Sequence, residues 1–126
     1  MNAIQKLTNG EEKIMRIFWD SNQPLSAREV ARSKSGINQN LVQAVLRKLV
    51  AKKFVKVSGI TYSRTVLTRQ YEPAISEEDY YSFVVSKSTF KKLFAHFVSQ
   101  DSSKEELKEM TEMMEKKLKE LDSQER

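Results

Sequence analysis

The sequence predicts a mainly α fold carrying one small β-hairpin, on three observations. Apolar residues recur at helical spacing in three short segments before residue 52. Between residues 54 and 72 the pattern changes to a run of β-forming residues broken by turn formers. Helical spacing then returns for most of the remaining chain.

The first helix is expected to begin at Thr8. Thr8-Asn9-Gly10-Glu11 fits a capping box, in which the hydroxyl accepts a first-turn amide and the carboxylate reaches back to the cap's own N–H. Ile14, Ile17 and Phe18 supply the apolar stripe, with Trp19 near the end. Ser21-Asn22-Gln23-Pro24 stops it, because the proline ring disfavours helical geometry in the preceding residue. A second capping box, Ser26-Ala27-Arg28-Glu29, opens a short helix that decays into Ser33-Lys34-Ser35-Gly36. The third helix starts near Asn38, a good N-cap residue. Val42, Val45, Leu46, Leu49 and Val50 are its expected buried face, and Asn40, Gln43, Ala44 and Arg47 lie opposite with Lys48 beside them.

Phe54, Val55, Val57, Ile60, Tyr62, Val66, Leu67 and Tyr71 then make a hairpin whose tip is expected between Ser58 and Arg64. Two helices joined by a Gly-containing turn and followed directly by a hairpin form a winged helix-turn-helix. Pro73 ends that unit, and Ser76-Glu77-Glu78-Asp79 starts a new helix. Phe90, Leu93, Phe94, Phe97 and Val98 continue at helical spacing, Ser88 is expected to cap a helix, and Ser103 with Glu106 caps the last one. The expected domains are therefore residues 1–73, a winged helix-turn-helix, and residues 74–126, a helical dimerisation domain.

Composition narrows the function. The chain has 126 residues, no cysteine and one histidine, so disulfides, thiol nucleophiles, thiolate metal sites and His-rich zinc sites are excluded. No cofactor or metal is expected. No apolar run approaches the roughly 20 residues of a membrane span and no signal-peptide pattern is present, which predicts a cytoplasmic protein without membrane insertion. Net charge is +5, divided unevenly. Residues 1–72 hold 13 Lys/Arg against 5 Asp/Glu, and residues 73–126 hold 9 against 12. A basic half joined to a mildly acidic half suggests a polyanion-binding module beside one with another task.

The expected DNA-binding residues follow from that division. Asn38, Gln39, Asn40, Gln43, Ala44, Arg47 and Lys48 on the third helix would face the major groove, where amides can bond adenine and an arginine can reach guanine or phosphate. Lys34, Lys56, Arg64 and Arg69, with Lys48, would track the backbone. A winged-helix module that binds protein, without specific DNA binding, is the alternative. In the C-terminal half, Phe83, Phe90, Leu93, Phe94, Phe97, Val98, Leu107, Met110, Met114, Leu118 and Leu121 present more apolar surface than two short helices bury against each other. A homodimer solves this, folding back onto the N-terminal half is the second solution, and docking of a different partner is the third. The dimer is expected because the N-terminal half has its own core, and a symmetric dimer suits a palindromic operator.

Catalysis is not expected. Ser88-Thr89-Phe90-Lys91 matches the Ser-x-x-Lys acylation motif, but the companion Lys-Thr-Gly and Ser-Asp-Asn elements are absent and the chain is too short for that fold. His96 has no evident catalytic or metal partner.

Leu7-Thr8-x-x-Glu11-x-x-Ile14-Met15-x-x-Phe18-Trp19 resembles the opening of the penicillinase-repressor family (BlaI/MecI/CopY). The likeness continues through Val42-x-x-Val45-Leu46-x-x-Leu49-x-x-Lys52-Lys53-Phe54-Val55, Tyr71-Glu72-Pro73 and Ser76-Glu77-Glu78-Asp79-Tyr80, and resumes at Leu93-Phe94-Ala95-His96-Phe97-Val98. It covers nearly the whole chain. The resemblance implies a DNA-binding transcriptional repressor, homodimeric on its operator and released by a regulatory protease acting at the C-terminal domain or by metal. The copper branch carries paired Cys-x-Cys motifs, which this cysteine-free chain lacks. The cut of the β-lactam branch, at an Asn-Phe bond, aligns with His96-Phe97 here. Positions that are often Lys, Thr and Arg in that family read Asn40, Leu41 and Gln43, which implies a different operator.

Overall fold

The computed structural model describes residues 4–33 and 37–125. It divides into two compact units, Met1–Val84 and Val85–Arg126. The first contains α1 (Asn9–Asp20), β1 (Leu25–Ser26), α2 (Ala27–Arg32), α3 (Gln39–Ala51), β2 (Val55–Ser63), β3 (Val66–Pro73) and α4 (Glu77–Val84). The second contains α5 (Lys87–His96), a π-helical turn at Phe97–Asp101 and α6 (Lys104–Gln124).

Local signals set the helix starts. Thr8 Oγ1 accepts the Glu11 N–H at 3.2 Å and Glu11 Oε1 accepts the Thr8 N–H at 2.9 Å, and Ser26 with Glu29 repeats the arrangement at α2. Two of the orphan amides at each helix start are thereby satisfied. Asn38 Oδ1 accepts the Leu41 N–H at 2.8 Å and so caps α3. At its far end α3 closes in a Schellman arrangement, with the Phe54 N–H donating to Leu49 O at 2.9 Å and the Lys53 N–H to Val50 O at 3.0 Å. Lys53 takes the left-handed conformation (φ 66°) that this motif usually gives to glycine.

The core of the first unit gathers Ile14, Met15 and Phe18 from α1, Val30 from α2, and Val42, Leu46 and Leu49 from α3. Leu7, Ala27 of α2, Phe54 and Val55 at the base of the wing, and Tyr80 of α4 complete it. The expected buried face of α3 is too wide: Val45 is half-buried and Val50 exposed, because only the Val42–Leu46–Leu49 line points squarely into the core.

The sheet has the order β1-β3-β2, antiparallel throughout. The sequence reading did not anticipate β1, whose two residues pair with Gln70 and Tyr71 of β3. Ser58 is an extra residue: Val57 pairs with Tyr71 and Gly59 with Gln70, a β-bulge. Ser63 pairs with Val66, so the tip is the Arg64-Thr65 pair, with Arg64 at φ 61°. The hairpin therefore turns at the far end of the expected interval.

The boundary expected at residue 73 falls inside the first unit. The reason is α4. The Tyr80 hydroxyl accepts the Leu7 N–H at 2.8 Å within the core, and the Trp19 indole donates to Ile75 O at 3.0 Å just before the helix. Arg16 donates to Glu77 at 2.9 Å and to the Tyr81 hydroxyl, which in turn donates to Glu12. The bond it donates to Glu12, followed by partial burial, raises the Tyr81 pKa above its ordinary value. In the second unit Ser86 rather than Ser88 caps α5, accepting the Thr89 N–H at 3.1 Å; Ser88 lies inside the helix. Ser103 and Glu106 form the expected capping box of α6.

Candidate nucleic-acid interface

α2 and α3 with the β2–β3 wing make a winged helix-turn-helix, and α3 is the second helix of that motif. The core fixes which side of α3 is presented. With Val42, Leu46 and Leu49 buried, steps of 100° per residue turn Asn40, Gln43, Arg47 and Lys48 outward, and all four are exposed. Gln39 is exposed as well, and Ala44 is half-buried among its neighbours. Asn38 is exposed but spends its carbonyl oxygen on the cap. α3 contains no acidic residue.

A second element pins the end of α3. The Glu11 carboxylate is buried and receives the Lys52 ammonium at 2.8 and 3.1 Å. Burial pushes its pKa up, but the Lys52 hydrogen bond and those from Thr8 outweigh burial and leave it below the ordinary value. A buried carboxylate thus ties α1 to the C-cap of α3.

Between α3 and the wing lies a shallow cleft of about 260 Å³, bounded by Gln43 and Arg47 on one side and Leu67, Thr68 and Arg69 on the other. Two arginines, Arg47 and Arg69, border this one cleft, and arginine is a residue suited to binding phosphate. Lys56 instead pairs across the strands with Glu72 at 3.4 Å, at the base of the wing. Arg64 sits exposed at the tip. Lys34 lies outside the described residues. Among the described residues no cluster of His, Asp or Glu is placed to hold a metal ion, and no helix is long and apolar enough to cross a membrane.

Two features here lie outside the set of residues expected to bind DNA. Leu41, in the first turn of α3, is 50% exposed. Along the wing, Val57, Ile60, Tyr62 and Leu67 are exposed on one face, because cross-strand partners share a side and the bulge keeps Ile60 in line with Val57. Their spacing of three across the bulge hides that face from a period-two search.

The residues expected to dimerise are distributed over both units. Phe83 lies on α4 and is exposed. Phe90, Leu93 and Phe94 lie on α5, with the Phe90 and Phe94 rings stacked at 6.4 Å. Phe97 and Val98 are in the π-helical turn, and Leu107, Met110, Met114, Leu118 and Leu121 run along α6. No residue of α5, the turn or α6 is buried. Phe94, Phe97, Leu107 and Met110 are half-buried and the others exposed, as is Met113, which the expected stripe omitted.

A family model described as penicillinase repressor matches residues 7–116. No curated protein matches the chain. Among solved structures it is similar to a MepR point mutant from a multidrug-resistant S. aureus clinical isolate, at 19% identity, covering 92% of this chain and 80% of that one, with a TM-score of 0.52. An S. aureus MepR mutant bound to an oligodeoxyribonucleotide gives 20% identity, coverage of 91% and 80%, and a TM-score of 0.49. A MarR/EmrR family transcriptional regulator from Acinetobacter gives 18%, 93% and 78%, and 0.47. The first of these likenesses is one of fold.

Proposed function

Because the chain belongs to the penicillinase repressor family, we propose that it is a DNA-binding transcriptional repressor that holds a palindromic operator as a homodimer. The observation that carries this reading is the acid-free outward face of α3, where Asn40, Gln43, Arg47 and Lys48 stand exposed beside an arginine-bordered cleft. Amides and an arginine on such a face can bond base edges, while Arg64 and Arg69 neutralise phosphate.

Pairing is supported by the second unit. A helical segment of this length with no buried residue lacks a core of its own, and chains this short rarely fold without a partner. A second copy would cover Phe90, Leu93, Leu118 and Leu121, and a two-fold pair places two recognition helices on one side of a duplex. A regulatory protease acting in the C-terminal unit would relieve repression by separating α6 and its apolar stripe; His96 stands where the β-lactam branch has the asparagine of its cut.

Fluorescence anisotropy with duplexes enriched from a random pool, titrated at several salt concentrations, tests the reading. Arg47→Ala and Gln43→Ala should each weaken specific binding by about 1–3 kcal/mol, and Arg64→Ala should weaken all sequences alike and lower the salt slope by about 1. The exposed apolar strip of the wing favours a second reading, a winged-helix module that binds protein. Absence of DNA affinity at physiological salt would decide for it.

A further inference from the structure

We propose that Leu41 is a specificity-determining residue that packs on the C5-methyl group of a thymine, one in each half of the operator. The inference rests on the DNA-binding reading above and names what the start of the recognition helix reads.

Leu41 is the third residue of α3, in the part of a recognition helix that approaches base edges. It does not serve the core: Val42 beside it is buried, whereas Leu41 is 50% exposed. Its backbone is held in place, because its N–H donates to Asn38 Oδ1 at 2.8 Å. The side chain therefore projects from a fixed turn, and covering it on DNA requires little ordering of the backbone.

Chemistry identifies the contact. In the major groove the thymine methyl is the apolar feature that a side chain such as leucine can cover. The neighbouring readers agree with it. Asn40 and Gln43 carry amides that match adenine, and α3 has no carboxylate to accept from the cytosine amino group. The first turns of α3 thus combine adenine-matching amides with one apolar group, the set expected for an A·T-rich segment. Arg47, one to two turns further on, is left for guanine or phosphate.

Replacing thymine with uracil deletes that methyl and nothing else. Duplexes are first enriched from a random pool with the full chain, and each thymine of the best binder is then replaced by uracil in turn. The wild type should lose about three- to tenfold in affinity at one symmetry-related pair of positions, the worth of about one buried methyl or somewhat more. Leu41→Ala should lose a similar factor on the thymine duplex and become indifferent to uracil at that pair. Its melting temperature and salt slope should be those of the wild type, since the side chain is neither core nor charged. Indifference of the wild type to every uracil, or undiminished discrimination by Leu41→Ala, overturns the assignment while leaving the repressor reading intact. Failure to enrich any duplex overturns both.

Discussion

Glu11→Gln tests whether a buried ion pair sets the recognition helix. The Glu11 side chain is 4% exposed, takes two contacts from Lys52 at 2.8 and 3.1 Å, and caps Thr8 at 2.9 Å. Glutamine keeps the shape and can still accept from Thr8, but one oxygen becomes an NH₂ group with no bond to offer an ammonium. Hydrogen bonds to charged groups contribute about 1.5–3 kcal/mol each. The Lys52 side chain is 29% exposed, so its released ammonium can turn to water, and the penalty for a stranded charge stays small. The expected loss at neutral pH is therefore about 1.5–3 kcal/mol. Arg16–Glu77, equally short at 2.9 Å but with side chains 46% and 43% exposed, should contribute less than about 1 kcal/mol.

The pH dependence supplies the sign. Because the folded-state pKa of Glu11 is depressed, its contribution is complete above the unfolded value and disappears as pH falls through the folded one. The gap between wild type and Glu11→Gln should thus close as pH drops below the ordinary glutamate range. Urea unfolding at fixed protein concentration, followed through Trp19, the one tryptophan, reads both quantities. A variant within about 0.5 kcal/mol of wild type at neutral pH, or a gap that does not narrow in acid, would refute the reasoning.

Three further outcomes are expected. Lys53→Gly should raise stability by about 0.5–1 kcal/mol, since φ 66° strains a side chain and suits glycine; thermal melts check it. Tyr80→Phe strips the buried Leu7 N–H of its acceptor and should cost about 1–3 kcal/mol in urea unfolding. Leu118→Glu puts a charge on the exposed stripe of α6 and should shift sedimentation from dimer to monomer and weaken operator binding, while the fold of the first unit persists.

Most of the fold could be read from the sequence because its signals are local. Thr8 with Glu11, Ser26 with Glu29, and Ser103 with Glu106 satisfy their own helix starts three residues apart, so neighbouring letters reveal them. What escaped the reading depends on distant partners. Leu25 and Ser26 form a strand only because β3 lies alongside, and Tyr80 carries α4 into the first unit through a bond to Leu7, 73 residues away. Glu11 announces itself as a cap, while its role against Lys52 spans 41 positions. On α3, the exposure of Asn40, Gln43, Arg47 and Lys48 was legible from their type. Leu41 entered the reading only through the family resemblance, because residue type alone does not tell an exposed leucine from a buried one.

The extra residue at Ser58 makes the wing sensitive to parity. Val57 and Ile60, three positions apart, share a side only because the bulge takes the extra residue out of the alternation. Removing that residue alone would leave a regular ladder, with Gly59 following Val57 directly and Ile60 and Tyr62 on the side they occupy now. Losing Ser58 and Gly59 together would place Ile60 directly after Val57, swinging Ile60 and Tyr62 to the reverse of the arm and bringing Thr61 forward in their place. Length changes at this point of the arm therefore act in discrete steps, the first loss absorbed by the bulge and the next inverting the arm's chemistry.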